Sequence, residues 1–311
     1  MYVTSDTWAM RGRFAPSPTG QLHLGNLRTA LVSWLQVRVE GGQWLVRMED
    51  LDRVTSSPAH EADQLQSLAA LGMLPEGEVV RQSERFDLYR DAISTLSALD
   101  RVYECFCTRR EIREAAHAPH GDTPELAYPG TCRTLTAARR AALTREGRRP
   151  ALRVAANGER FVVHDLIAGE YEGVSDDVVL QRNDGVPAYN LAVVVDDAQQ
   201  GITHVTRGDD LLTSTPRQRL LQQLLGYNEP VYAHVPLVLA PGGARLAKRH
   251  GAVTLDDLAT RGIGPEQVLS RLAASLELCA PGEVVSIDDL VARFRMEAVL
   301  RQPWSLSESD L

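Results

Sequence analysis

The chain has 311 residues, a formal net charge of −8 at pH 7 and a hydrophobic fraction of 44%. No stretch approaches the roughly 18 apolar residues that span a membrane, which predicts no membrane segment. The acidic balance argues against non-specific coating of nucleic acid but allows a local basic surface. Residues 1–10 lack a basic start and an apolar core, so we expect a cytoplasmic protein without a secretory signal.

The first predicted unit is the stretch RFAPSPTGQLHLGNLR at 13–28. A short apolar run, two prolines, a glycine and then Leu24, Leu27 and Leu31 at helical spacing predict a strand, a tight loop and a helix. The start of such a helix favours a phosphate, because its N–H groups and dipole point at the ligand. A plain strand–helix connection is the alternative. The loop carries more hydrogen-bonding side chains than a turn requires: Arg13, Ser17, Thr19 and His23.

A second strand is predicted over 43–50, and Leu spacing predicts helices over 57–72 and 84–99. Acidic groups at the carboxyl end of a strand lie where ligands bind in α/β sheets, although a solvated turn is the alternative. The second strand ends in such a group of acids: Glu49, Asp50 and Asp52.

Three cysteines form a candidate metal site. Cys105 and Cys107 are two positions apart, and Cys132 lies in a Pro-Gly turn that could return it to them. Three thiolates and one further donor make a tetrahedral zinc site, whereas three unrelated buried cysteines are the alternative. Three side chains could supply the fourth donor, and the chemistry alone favours a histidine among them. The candidates are Tyr128, His117 and His120.

The next segment, 133–153, is strongly basic, with seven arginines and one acid, Glu146. Such a cluster predicts a surface suited to phosphate-backbone contacts, and a solvated helix face is the alternative. The arginines are Arg133, Arg139, Arg140, Arg145, Arg148, Arg149 and Arg153.

The second half of the chain alternates between strand and helix patterns. The apolar run 189–195, which closes on Asp196 and Asp197, predicts a buried parallel strand. A strand over 203–211, a helix that starts at Thr215-Pro216, and a strand over 232–240 follow. The basic, glycine-containing loop 241–251 suits a clamp on a polyphosphate, and the remainder is helical.

Two motifs now carry a resemblance. PSPTGQLHLGN at 16–26 resembles the HIGH signature of class I aminoacyl-tRNA synthetases, and RLAKR at 245–249 resembles their KMSKS loop. RFAPSPTG at 13–20, RMEDLDR at 47–53 and THVTRGDDLL at 203–212 are similar to glutamyl-tRNA synthetases. About sixty residues follow the KMSKS-like loop, whereas those enzymes continue with a long anticodon-binding region. The short chain and its Cys-x-Cys motif resemble the glutamyl-Q tRNA(Asp) synthetases, truncated paralogues of glutamyl-tRNA synthetase.

The resemblance implies activation of glutamate with ATP and Mg²⁺ in the absence of tRNA. Glutamate is then transferred to the queuosine base at the wobble position of tRNA(Asp). It also implies a monomer and one zinc ion per chain, held by three cysteines and a tyrosine, so that Tyr128 replaces the histidine. The implied zinc ligands are Cys105, Cys107, Tyr128 and Cys132.

The resemblance also assigns site residues. In the amino-acid pocket, Glu49 holds the ammonium and Arg207 pairs with a carboxylate. ATP meets His23, Gly25 and Lys248, of which His23 and Lys248 are the catalytic pair. Two departures from the motifs are Asn26 in the HIGH-like motif and Ala247 at the KMSKS serine. The full glutamate set is Arg13, Ala15, Ser17, Glu49, Tyr189 and Arg207.

The implied architecture is an α/β fold with a Rossmann-type parallel sheet, a zinc-bearing insertion and a short C-terminal helical domain. We expect the first catalytic half over 10–100, the insertion over 101–175, the second half over 176–253 and the helical domain over 254–311. Two rival functions are charging of the 3′ end of tRNA(Glu) and a non-catalytic zinc-containing RNA-binding module.

Overall fold

The computed structural model describes residues 10–108, 110–112, 128–240, 243 and 253–307. The strands are β1 Arg11–Phe14, β2 Gln43–Met48, β3 Val80–Arg81, β4 Val102–Cys105, β5 Ala151–Val154, β6 Arg160–Asp165, β7 Gly169–Val174, β8 Val178–Gln181, β9 His204–Gly208, β10 Val231–Val235, β11 Val238–Leu239 and β12 Trp304–Ser305. The helices are α1 Leu24–Val39, α2 Pro58–Ala70, α3 Phe86–Ala98, α4 Ala137–Arg145, α5 Tyr189–Gln199, α6 Thr215–Leu225, α7 Leu255–Ala259, α8 Pro265–Ala274 and α9 Ile287–Arg293. Within these described ranges, no helix combines the length and apolar character needed to cross a membrane.

The main sheet has the strand order β3-β2-β1-β9-β10-β6-β7. Its pairs are parallel except for β6 and β7, which run antiparallel. From β1 the chain adds β2 and β3 on one side, and from β9 it adds β10 on the other, so the direction of winding reverses between β1 and β9. Ligands bind at the carboxyl ends of the strands beside such a reversal. The predicted α/β fold with a parallel sheet is confirmed.

The stretch 13–28 forms the predicted strand, loop and helix. β1 ends at Phe14 and α1 begins at Leu24, which leaves residues 15–23 as the loop. Helix α1 packs between the sheet and the C-terminal helices, so apolar residues around most of its circumference are buried. Arg28 at the end of the stretch joins two later parts of the chain, donating to Pro236 O after β10 at 3.0 Å and to Ser275 Oγ after α8 at 3.0 Å.

The run 189–195 is helical, which shows that the predicted buried strand is wrong. Its valines favour a strand, but helix α5 lies in the core with Leu191 through Asp197 all buried. A short apolar run has no polar face to reveal its period, so a buried helix and a buried strand look alike in sequence. Tertiary packing against α3 and α6 decides the outcome here.

Strands β4, β5 and β8 form a separate three-stranded antiparallel sheet next to the main one. The cysteine cluster lies at the end of β4 and in the turn before α4. Strands β6 and β7 fall within the proposed insertion 101–175 but join the main sheet. The C-terminal helices share one hydrophobic core with α1, β1 and β2. The division into four segments stays a proposal.

Candidate active site

A cavity of about 420 Å³ opens at the carboxyl ends of β1, β2 and β9. The loop after β1, the residue after β2 and the start of α5 all reach it, because parallel strands end at the same edge of a sheet. It is lined by every predicted glutamate and ATP residue that the structure describes: Arg13, Ala15, Ser17, His23, Gly25, Glu49, Tyr189 and Arg207. Lys248 and the KMSKS-like loop lie outside the described residues.

One end of the cavity rests on a buried network of opposite charges. Arg13 donates to both carboxylate oxygens of Asp197, at 3.1 Å and 3.3 Å. Arg47, which is fully buried, donates to Asp197 Oδ1 at 2.7 Å and lies 3.5 Å from Glu49 Oε1. Asp197 therefore joins two guanidinium groups beneath the cavity. We call Arg13, Arg47, Glu49 and Asp197 the Glu49 end.

Glu49 lies where ionisation of its carboxyl group is unfavourable without a further cation. Burial raises the pKa of its carboxyl group to about 7, even though Arg47 and Arg13 act in the opposite direction. A carboxylate in this position gains from one further cation, because an opposite charge at short range favours the ionised form. The amino group of a bound ligand could supply that cation.

The other end of the cavity is organised around Arg207 at the end of β9. Its Nε–H donates to His234 Nε2 at 3.0 Å. Its terminal nitrogens donate to Gln218 Oε1 at 2.6 Å and Thr215 Oγ1 at 2.9 Å. All three acceptors are uncharged, so this guanidinium suits an anionic ligand. We call Arg207, His234, Asp165, Gln218 and Thr215 the Arg207 end.

His23 caps helix α1, and this corrects the expectation that free N–H groups of the helix point at a phosphate. His23 Nδ1 accepts from the N–H groups of Gly25 at 3.1 Å and Asn26 at 3.3 Å. The N–H of Leu24 donates to Val253 O at 2.9 Å. Because Nδ1 is an acceptor, the proton of a neutral ring lies on Nε2. The helix dipole and the imidazole remain as the groups suited to an anion.

The acidic cluster after β2 divides its roles. Only Glu49 lines the cavity, whereas Asp50 accepts from Ser83 N at 2.8 Å and Asp52 accepts from Val54 N at 3.1 Å. Asp50 thus ties the segment after β2 to the segment after β3, whereas the alternative of a solvated turn describes Asp52.

Sequence reasoning missed the residues that support the cavity from behind. Gln64 on α2 donates to Ser17 O at 3.0 Å and to Gly20 O at 2.6 Å, which holds the loop after β1 in place. Arg47 belongs to the motif RMEDLDR and Asp197 follows the apolar run 189–195, but neither pattern assigned these residues a role. An acidic pair at the end of an apolar run signals buried carboxylates that need cationic partners, and this signal could have identified Asp197.

The three predicted cysteines lie together, with their Sγ atoms within 4.8 Å of one another. The Tyr128 hydroxyl lies 3.4 Å from Cys105 Sγ and 3.8 Å from Cys107 Sγ, and it accepts from Cys132 N at 2.8 Å. Burial raises the pKa of the Cys107 thiol to about 12. A coordinated cation deprotonates a thiol, so this compact donor set fits a metal that prefers sulfur. His117 and His120 lie outside the described residues.

A second, larger cavity of about 1010 Å³ joins the first at Ser17, Glu49 and Tyr189 and extends to Cys105 and Cys107. Arg148 and Arg149 from the basic segment also line it. Acids outside or within the segment pair with four of its seven arginines, which lowers the positive charge available for phosphate contacts, and the basic surface stays a prediction. The pairs are Arg133 with Asp177, Arg139 with Glu146, Arg140 with Glu104 and Arg148 with Glu111.

Comparison with known proteins identifies clear relatives. The family model of the catalytic domain of class I tRNA synthetases (E and Q) matches residues 9–311. Glutamyl-Q tRNA(Asp) synthetase of Nocardia farcinica is 53% identical, covering 99% of this chain and 97% of the relative. The enzyme of the same name from Symbiobacterium thermophilum is 48% identical, with 94% of each covered. A crystal structure of a glutamate tRNA ligase from Elizabethkingia meningosepticum in complex with its amino acid is 30% identical with a TM-score of 0.81, covering 97% of this chain and 68% of that one.

Proposed function

The chain belongs to the class I tRNA synthetase family for glutamate and glutamine, and on this premise we propose that it activates glutamate with ATP and transfers it to queuosine in tRNA(Asp). The enzyme is a ligase of the aminoacyl-tRNA synthetase type. The observation that carries the proposal is that Glu49 and Arg207 line the same cavity. An under-balanced carboxylate and an under-balanced guanidinium match the ammonium and a carboxylate of an amino acid. Both charges in the ligand are thereby used for orientation.

In the proposed complex, Glu49 binds the glutamate ammonium and Arg207 binds a glutamate carboxylate. Arg13, Ala15 and Ser17 line the space between these groups, and Tyr189 closes one side. Arg13 already shares its charge with Asp197, so we assign it a shaping role at this end. Removing one partner of a buried, hydrogen-bonded charge pair of this kind costs about 2–5 kcal/mol, much of it because the other charge is left unpaired.

ATP occupies the part of the cavity next to α1 in this proposal. His23 Nε2–H and the positive end of the helix dipole face the phosphates together with Gly25. Mg²⁺ accompanies ATP and offsets the phosphate charge. Lys248 stays a predicted contributor from the KMSKS-like loop, where an ammonium stabilises charge on the leaving pyrophosphate.

The chemistry needs positioning more than a protein nucleophile. A carboxylate oxygen of glutamate attacks the α-phosphorus of ATP, the bond from that phosphorus to the bridging oxygen breaks, and pyrophosphate leaves. The product is glutamyl-adenylate. In the second step the acceptor on queuosine attacks the activated carbonyl carbon and AMP leaves. Both steps gain from fixed geometry and fixed charges.

We assign the cysteine cluster to one zinc ion held by Cys105, Cys107, Cys132 and Tyr128. The short distances among the thiols and the Tyr128 hydroxyl support this donor set. Zinc supplies a structural cross-link here, fixing the end of β4 to the turn before α4. The second cavity, which connects this region with Glu49 and Tyr189, is then the entry for the acceptor nucleoside of the tRNA. We place the reaction in the cytoplasm.

Transfer of labelled glutamate tests the proposal. We expect label on tRNA(Asp) that carries queuosine and none on the same tRNA with guanosine at the wobble position. Label on tRNA(Glu) that is lost when periodate first oxidises the diol of the 3′-terminal ribose would instead support the rival synthetase activity. If the protein does not activate glutamate, either alone or with any of these RNAs, the result would support the non-catalytic RNA-binding module.

A further inference from the structure

Three neighbouring strands each place one buried polar side chain behind the cavity. Arg207 lies on β9, His234 lies opposite it on β10, and Asp165 ends β6 opposite Tyr232. The exposed fractions of Arg207, His234 and Asp165 are only 6%, 1% and 6%. Polar groups at this depth require partners, and here the partners are one another.

The hydrogen bonds fix the proton on the imidazole. A guanidinium has donors only, so Arg207 Nε–H requires His234 Nε2, 3.0 Å away, to be an acceptor. The ring proton then lies on Nδ1, which is 2.5 Å from Asp165 Oδ2. Burial lowers the pKa of His234, in agreement with a neutral ring. His234 therefore receives from Arg207 and donates to Asp165.

Asp165 is itself held by the backbone. Its Oδ1 accepts from the N–H groups of Ile167 at 2.9 Å, Ala168 at 2.7 Å and His234 at 3.1 Å. Three donors on one oxygen prevent the carboxylate from rotating, so Oδ2 is the oxygen that faces the ring. The tautomer of His234 follows from the shape of the turn after β6.

The remaining contacts complete the orientation of Arg207. Gln218 and Thr215 each accept from one terminal nitrogen, and Gln218 is held in turn by Asn190 at 3.1 Å. With Nε–H on His234, these contacts use three of the five N–H groups and leave one on each terminal nitrogen. Two such N–H groups match the two oxygens of a carboxylate.

We propose that Asp165 and His234 are positioning residues, which fix the plane of Arg207 so that its two remaining N–H groups meet a carboxylate of glutamate. This inference rests on the proposed function, since it assumes that Arg207 binds a substrate carboxylate. The negative charge of Asp165 stays one residue away from Arg207. The guanidinium is oriented without being neutralised by a direct ion pair.

Asp165→Asn tests this arrangement because it is expected to move the ring proton of His234 from Nδ1 to Nε2. The three backbone donors keep the amide oxygen at the Oδ1 position, so the amide N–H₂ replaces Oδ2 and donates to Nδ1. The ring proton then lies on Nε2 and opposes Arg207 Nε–H. We expect the KM for glutamate in pyrophosphate exchange to rise about 10- to 100-fold, with little change in the KM for ATP or in Tm.

A pair of variants at His234 keeps the test decisive if Asp165→Asn folds poorly. Gln can place its oxygen near the Nε2 position, whereas Asn reaches only the Nδ1 position. We expect His234→Gln to have a lower KM for glutamate than His234→Asn. Equal KM values in these two variants, or an unchanged KM in folded Asp165→Asn, would overturn this inference alone. A wild-type enzyme without glutamate-dependent exchange would overturn the proposed function, and the inference with it.

Discussion

The two ends of the active-site cavity hold arginine in opposite ways. At the Glu49 end, Arg13 and Arg47 contact the Asp197 carboxylate directly. At the Arg207 end, uncharged His234, Gln218 and Thr215 surround the guanidinium and Asp165 stands behind them. Direct pairing uses arginine charge for the structure of the protein, whereas indirect support leaves that charge for a ligand. One cavity thus contains arginines that pair with a carboxylate of the protein and one, Arg207, that we propose binds the substrate.

The strongest test of this difference is Arg207→Ala. Because it removes the group proposed to bind a substrate carboxylate, we expect kcat/KM for glutamate to fall about 1000-fold. Pyrophosphate exchange at several glutamate concentrations measures the effect. Arg160→Ala is the control, since Arg160 is an exposed arginine paired with Glu172. A change of less than threefold in Arg207→Ala would show that its charge is not used by the substrate.

The next largest effect is expected on stability, from Asp197→Asn. The variant leaves Arg13 and Arg47 buried without their shared carboxylate, which costs about 3 kcal/mol or more. Thermal or urea unfolding should show a clear loss relative to Asp52→Asn, whose carboxylate lies in an exposed turn. Equal stability of the two variants would remove the distinction between structural and ligand-directed charges.

Glu49→Gln tests the substrate-facing group of the Glu49 end, and we expect the KM for glutamate to rise about 10-fold or more. In the wild type, the Glu49 pKa of about 7 implies that the carboxylate is protonated as pH falls below 7. The ion pair with the substrate ammonium is then lost, so kcat/KM for glutamate falls by about tenfold per pH unit in that range. Glu49→Gln should lack this dependence, while Asp50→Asn should retain it.

The smallest effect on activation is expected outside the cavity, from Cys105→Ser. We expect metal analysis to find about one zinc per wild-type chain and much less in the variant. Glutamate activation should change less than about threefold because neither end of the cavity contacts the cluster, whereas transfer to tRNA should fall further. Cys279→Ser, which removes the thiol that lies outside the cluster, is the matched control. Equal losses in both steps would indicate a general folding defect.

The sequence predicted the residues that line the cavity better than the residues that support them. Arg13 and Arg207 lie near the carboxyl ends of predicted strands, and Glu49 directly follows one. The carboxyl edge of the parallel sheet brings the three together. Their supports come from distant parts of the chain. Asp197 is 184 positions from Arg13, and Asp165 is 69 positions from His234. No periodicity within a segment reports such a pairing.

Three differences between the sequence-based expectations and the structure have specific physical causes. Residues 191–195 of the run 189–195 are all buried and apolar, so the pattern did not distinguish the helix α5 from a strand. The arginines of 133–153 were counted against Glu146 alone, but their partners include Glu104, Glu111 and Asp177 from neighbouring segments. The helix start at Leu24 was expected to offer N–H groups to a phosphate, but His23 caps it locally. In each case a contact with another side chain or another segment, which the local pattern does not show, decided the outcome.

Glutamate-dependent exchange of labelled pyrophosphate into ATP tests the central claim most directly. The purified chain is given ATP, Mg²⁺ and glutamate without RNA. We predict saturable exchange with glutamate and at least a 100-fold lower kcat/KM with glutamine, because we assign the side-chain carboxylate of glutamate to Arg207 and glutamine has an amide there. Exchange that requires tRNA, or equal exchange with both amino acids, would contradict the account.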